Sequence, residues 1–364
     1  MWGDIMQLVA CRMSALICVA LLAMSMVFGF LPGRAGAQSG VSAYERAANF
    51  YHNRTITLGI GYAAGGGYDL YGRLIAKHLP RFIPGAPNIV PQNVPAAGSL
   101  LLANQLYNTV PKDGSYLGII SNSLPLEQLL GLPQAKFESK NFNWIGRLDD
   151  LTLILLAWHS SDIAKLDDVL KKEFSIAVPG KGSTADSALS VIKLILNARY
   201  KLVTGYRSGL ETKLAMERGE VDGTASVQWS TLREVNKDWI DNQQVRILVQ
   251  LGLDKQVGLE NVPLASELAY DERSRVLIEL LMAPASIGRA LVAPPDLPAE
   301  RVVVLREAFQ KMIVDPAFTD DAGRQHLSLS PKSGADLQSI VEKLSTLPAS
   351  WLGEAKALLE ATSK

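Results

Sequence analysis

Three stretches of small residues can present backbone amides to an anion. They are Tyr62-Ala63-Ala64-Gly65-Gly66-Gly67-Tyr68-Asp69, Pro95-Ala96-Ala97-Gly98-Ser99, and the run from Gly180 through Ser183 and Thr184 to Asp186. Each follows an apolar run and precedes a helical pattern, which predicts a strand, a loop and a helix N-terminus. The first turn of a helix carries amides without intrahelical partners and about half a positive charge. Gly, Ala and Ser let a ligand approach those amides closely. Three such ends meeting in one cleft would hold an anion without any buried Lys or Arg. Ser183 and Asp186 also match a capping box, a purely local use of the same residues. Ser99 is expected either to cap its helix or to donate to a ligand.

Other chemistries find little support. His52, His78, His159 and His326 stand apart, with no HxxxH, HxH or Cys/His cluster to hold a metal. Cys11 and Cys18 both lie in the first forty residues, so the remainder has neither a thiol nucleophile nor a disulfide. Gly59-Ile60-Gly61-Tyr62-Ala63-Ala64 fits G-x-G-x-x-A after a strand. That dinucleotide fingerprint expects an acid about 20 residues on, and none occurs from Leu70 to Lys112. Neither the phosphate-loop pattern nor G-x-S-x-G is present. No catalytic residue, cofactor or metal is expected.

The elements that must position the three loops are legible as patterns. Residues 55–62 alternate as a strand, and Tyr71, Leu74, Ile75, His78, Leu79 and Phe82 mark one face of the next helix. Arg73, Lys77 and Arg81 form a solvated stripe on that helix. Tyr68, Tyr71 and Tyr107 lie near loop ends and are expected to pack into the core. Further strands are expected at 88–94, 115–121, 151–158, 174–178, 201–206, 223–227, 245–251 and 286–293, with a helical tail from Gly334. This alternation predicts an α/β fold around a mainly parallel sheet.

The chain has 364 residues, 48% of them apolar, and its 36 basic side chains balance 36 acidic ones. That neutrality weighs against a nucleic-acid partner, and the length fits two domains. Residues 15–31 form an uncharged apolar run after Arg12, followed by small residues up to Ala35-Gly36-Ala37. This is the layout of a secretory signal, with cleavage expected after Ala37; an uncleaved membrane anchor is the alternative.

Residues 50–120 closely resemble the receptor component of tripartite tricarboxylate transporters, the periplasmic solute-binding proteins also called the Bug family. AGGGYD ending at Asp69, IPG followed by NIVPQN, the Pro-Ala-Ala-Gly-Ser loop and PKDG ending at Gly114 occur in the family's order and spacing. The likeness continues more loosely through WIGR, PGKGSTADS, TGYRSG, GEVDG and APPDLPAERV. Two departures stand out. Ala96 replaces a usual glycine, which narrows the loop or demands an ordinary backbone there, and Arg207 stands where lysine is commoner.

The resemblance implies a type II periplasmic-binding fold of two α/β lobes with a ligand cleft between them. It assigns residues 38–155 and 288–364 to the first lobe and 156–287 to the second, with crossings near 153–159 and 285–291. It implies a small carboxylate ligand, membrane transporter subunits as partners, a periplasmic location and a monomer. Carried over, Tyr62, Ala63, Ala64, Gly65, Gly66, Gly67, Tyr68 and Asp69 line one wall of the cleft, with Ala97, Gly98, Ser99, Ser121 and Asn122 beside them. Ser183, Thr184, Tyr206, Arg207 and Ser226 face them from the other lobe, and Trp229 is a weaker candidate. Asp69 is expected to cap its helix or hold water, or to meet an ammonium group if the ligand carries one. A sensor that docks on a membrane kinase and a nucleotide-dependent α/β enzyme are the alternative readings.

Overall fold

Apolar residues with a two-residue period drive the first strand, β1 (Thr55–Ile60), whose Ile56, Leu58 and Ile60 are fully buried. The computed structural model describes residues 42–180, 183–206 and 208–363. The expected leader and its cleavage site, Lys181, Gly182 and Arg207 lie outside the described residues. From Tyr44 onward the described chain is one compact unit.

Around β1 the chain adds α1 (Ala43–Tyr51), α2 (Gly67–His78), β2 (Asn88–Asn93), α3 (Leu100–Asn108), β3 (Tyr116–Ile119), α4 (Leu124–Leu129) and β4 (Asn143–Arg147). A second group follows: β5 (Leu153–Trp158), α5 (Leu166–Lys171), β6 (Ser175–Pro179), α6 (Thr184–Leu196), β7 (Lys201–Tyr206) and α7 (Gly209–Glu217). It continues with β8 (Gly223–Gln228), α8 (Trp229–Glu234), α9 (Lys237–Asp241) and β9 (Val245–Leu251). After α10 (Glu272–Ile287) come β10 (Ala290–Ala293), α11 (Ala299–Ile313), α12 (Pro316–Arg324), β11 (Lys332–Ser333), α13 (Gly334–Ser345) and α14 (Ala349–Ser363).

The strands form two sheets, ordered β11-β4-β10-β3-β1-β2 and β7-β6-β8-β5-β9. Both are mixed rather than mainly parallel. β1 runs parallel to β2 and β3, but β10 is antiparallel to β3 and β4, and β5 is antiparallel to β8 and β9. A strand that enters from the other sheet arrives from the opposite end, and the local hydrophobic pattern carries no sign of its direction.

Each sheet is covered on both faces. On the first, Ile56 and Leu58 pack with Leu74 and Ile75 of α2 and Phe309 of α11, while Leu102, Trp144 and Leu337 fill the other side. On the second, Leu155 and Ile176 pack with Leu189 and Ile192 of α6, and Leu156 packs with Met216 and Trp239 opposite. The basic stripe on α2 is solvated, yet Lys77 and Arg81 also pair with Asp321 and Asp315 at α12.

β5 pairs along its whole length in the second sheet, so the outward passage lies at residues 148–152. The return runs through α10, which occupies Ser286 and Ile287, where the apolar run 286–293 reads as strand; only Ala290–Ala293 is extended. α10 joins both halves, placing Ile278 and Met282 in the second core and Leu280 against Leu126 and Leu344. α14 packs on α6 and α10, so the end of the chain returns to the second half. The passages are tied together by Leu151 N–H donating to Ala285 O at 2.9 Å and Arg289 N–H donating to Asp149 O at 2.9 Å.

Candidate functional site

The loops after β1, β2 and β3 gather at one edge of the first sheet because the three strands are parallel neighbours. Open α/β sheets offer a crevice at that carboxyl edge. Ala63, Ala64, Gly65, Gly66 and Gly67 are exposed there. Gly65 takes a positive φ of 87°, which turns its N–H onto Asp69 Oδ2 at 2.9 Å.

Asp69 anchors this loop from beneath. It is buried, and it also accepts from Arg73 Nε and from Asn93 Nδ2 at 2.8 Å. Burial alone would raise its pKa, but the bonds from Arg73, Gly65 and Asn93 outweigh that and hold it down at about 2. Its oxygens are engaged by protein donors, so the structure lends no support to an ammonium partner for Asp69. Tyr62 stacks on Tyr68 with centroids 4.3 Å apart. The Tyr68 hydroxyl donates to Asn122 Oδ1 at 3.0 Å and accepts from Asn122 N–H at 3.2 Å, joining the first loop to the third. Ser121 Oγ is 2.9 Å from Ser123 Oγ. Of the tyrosines near loop ends, Tyr71 is buried, while Tyr68 and Tyr107 are half-buried.

The second loop is strained. Ala97, Gly98 and Ser99 have φ of 45°, 60° and 77°, three left-handed residues in a row. Ala96 is extended, at φ −155°, so its Cβ is accommodated in an ordinary conformation and the strain falls on Ala97 and Ser99. Strained backbone of this kind clusters at binding sites. Ser99 sits at the N-cap of α3 without a side-chain cap bond, so capping is not its role. Its Oγ is buried with no partner among the described residues. Ala97→Gly is expected to stabilise the protein by about 1 kcal/mol, because glycine adopts positive φ without the Cβ penalty. A thermal or urea melt checks this.

On the second sheet, Ser183 Oγ accepts from Asp186 N–H at 3.3 Å, so its hydroxyl serves as the helix cap. Thr184, the first residue of α6, lines a cavity of about 360 Å³ together with Asn122; no other candidate residue is among its described lining. Tyr206 is half-buried, and Ser226 Oγ is buried without a partner among the described residues. Trp229 is buried, with its Nε1–H donated to Val257 O at 2.9 Å. That bond makes it a core residue.

An arginine that the sequence reading did not single out also lies beside the first loop. Arg289 lies between α10 and β10, and its side chain is only 16% exposed. A side chain at Gly67 would begin 3.2 Å from Arg289 Nη2, so the guanidinium lies against the start of α2. It stands 4.9 Å from the Tyr71 ring centroid, and Nη1 pairs with Asp149. Burial pushes Asp149 up to about 7, with Asp150 adding to the rise and Arg289, Tyr71 and Arg147 opposing it. A lone charge inside the otherwise apolar run ASIGRALVA is the only sequence signal for Arg289. Among the described residues no His/Cys/Asp/Glu cluster is suited to a metal, and no helix is long and apolar enough to cross a membrane.

No protein-family model matches the chain. It is 24% identical over 320 residues to a UPF0065 protein from the gbd 5' region of Cupriavidus necator, covering 82% of this chain and 90% of the relative. Among solved structures it is similar to a ligand-free TctC solute-binding protein from Polaromonas, with TM-score 0.65, 19% identity and coverage of 85% of this chain and 99% of the other. It is also similar to the periplasmic binding protein BugD, with TM-score 0.52, 18% identity and coverage of 85% and 98%. MatC of Rhodopseudomonas palustris, solved with bound malate, gives TM-score 0.51, 18% identity and coverage of 83% and 99%. By its two mixed sheets, their connection and these likenesses, the chain has the type II periplasmic-binding fold as found in TctC- and Bug-type solute-binding proteins.

Proposed function

We propose that this protein is a periplasmic solute receptor that captures a small carboxylate between its lobes and delivers it to a membrane transporter of the tripartite tricarboxylate type. The observation that carries the reading is the gathering of the 62–69, 97–99 and 121–122 loops at one sheet edge, two with exposed small residues. Exposed amides at helix starts suit carboxylate oxygens. The adipate and malate bound to similarly folded proteins of R. palustris are of that chemical class. The protein works as a binder, not an enzyme, and as a monomer after leader cleavage. We take the residues up to the 148–152 passage and those from 288 onward as one lobe and the residues between as the other, with α14 packing back onto the second.

A thermal-shift screen of mono-, di- and tricarboxylates, with NAD and ATP alongside, tests the reading. A ligand at 100 times its dissociation constant adds about 2.7 kcal/mol of stability. A carboxylate response with silent nucleotides supports the receptor; a nucleotide response alone overturns it. Gly66→Val is expected to weaken carboxylate binding at least tenfold while leaving the melting temperature within about 2 °C. A Cβ at Gly66 would meet only Ala63 O, at 3.9 Å, so the fold tolerates the change. Titration calorimetry with unchanged affinity would remove this loop from the site.

A further inference from the structure

The cavity shared by Asn122 and Thr184 has a lining of two chemical kinds. Asn122, Ser123, Thr184 and Ser187 supply the polar part of its lining. The remainder is built mainly from aliphatic side chains of four elements and the outward passage: Leu126 of α4 and Leu130 just after it, Leu251 of β9, Leu281 and Met282 of α10, Leu359 of α14, and Leu151. No Lys or Arg is among the described lining residues, and the single charge is the exposed carboxylate of Glu127. Asn122 is held by Pro284 O, 2.7 Å from its Nδ2, and by Tyr68. Its position is therefore fixed relative to both the candidate loops and α10.

We infer that this cavity is the compartment for the ligand's hydrocarbon part, so that the carboxylate is carried on an aliphatic or aromatic body rather than paired with a second carboxylate at its far end. The inference rests on the receptor reading above and narrows its substrate class. A second carboxylate pushed among leucines would lose its hydration and meet no cation, with Glu127 repelling it. A methyl end meets the surface it prefers. The volume of about 360 Å³ accommodates chains of roughly five to eight carbons or a substituted ring.

Calorimetric affinities for straight-chain monocarboxylates from two to ten carbons test this, with malate, succinate and adipate as the comparison set. Affinity should rise about fourfold per added methylene until the cavity is full and then fall, and hexanoate should bind at least tenfold tighter than adipate. Ala188→Leu, which fills the cavity from α6, should abolish the gain with chain length while leaving the short acids unchanged. Should that variant not fold, Leu281→Ala should move the optimum to a longer chain. Dicarboxylates binding more tightly than monocarboxylates of equal length would overturn the inference and leave the receptor standing. Silence toward every carboxylate, with the protein folded, would overturn both.

Discussion

Replacing Gly288 with alanine is expected to destabilise the protein by at least about 3 kcal/mol, a large loss for one added methyl group. Gly288 ends α10 at φ 58°, ψ −145°, a region closed to L side chains. A Cβ there would lie 2.2 Å from Asp149 O and 2.9 Å from Asp150 Cα. Both contacts are backbone, and both belong to the opposite passage between the sheets, so neither atom can swing aside. Relief would require parting the two passages and breaking the bond from Arg289 N–H to Asp149 O. Gly131→Ala supplies the control. Its φ is 84° with nothing within 4 Å of the new Cβ, so it reports the backbone strain alone, about 1–2 kcal/mol. Urea denaturation of the two variants separates strain from collision, and a Gly288→Ala loss no greater than that of Gly131→Ala would refute the close crossing.

The second large effect is a pH dependence centred on Asp149. Its carboxyl is pushed up to about 7 by burial, against 3.8 in an ordinary setting. The folded protein therefore keeps this proton where the unfolded chain has released it. The stability contributed by the group is complete below about pH 4 and is lost as pH rises through 7. Between pH 5 and 8 the loss amounts to about 3 kcal/mol. Asp149→Asn keeps the shape and an acceptor for Arg289 but cannot ionise. Wild type should therefore lose stability relative to this variant as pH rises across that window. Parallel curves would mean that Arg289 holds Asp149 ionised throughout. Asp69, held at about 2, acts in the opposite sense, giving stability that is present above pH 4 and lost as pH falls toward 2.

Much of the local structure is written in residue patterns, because two- and fourfold spacing of apolar residues reports burial directly. β7 and β9 fall where the alternation places them, and α2 buries Tyr71, Leu74, Ile75 and His78 as its spacing requires, with Leu79 buried just past its end. The departure from the strand pattern at 286–293 has a physical cause. Pro284 argues against a helix, yet it sits on the last turns of α10, which tertiary packing holds in place. Strand direction is not legible, since parallel and antiparallel strands share one period. β4 escapes notice because NWIGR shows neither a β-branched run nor a clean alternation of apolar and polar residues.

For the candidate site, the Gly-rich and Ser-rich loops are legible as loops, but their partners are not. Asn93 reads only as a strand residue, yet it reaches both Asp69 and Tyr62 O. Arg289 is more than 200 residues from Gly67, and a contact at that separation leaves no trace in local spacing.

The route of the chain also dictates an order of assembly. The second sheet is complete once residue 251 has been made, since β5 to β9 are consecutive in the sequence. The first sheet waits for β10, which must insert between β3 and β4 rather than add at an edge. Until then β3 and β4 each lack a neighbour, and Leu74 and Ile75 lack the cover of Phe309 and Phe318. Contacts of such long range are slow to form and leave strand edges exposed in the meantime. A nascent chain that stalls near residue 285 thus carries one completed sheet and one with an open slot, and the slot is where self-association would begin.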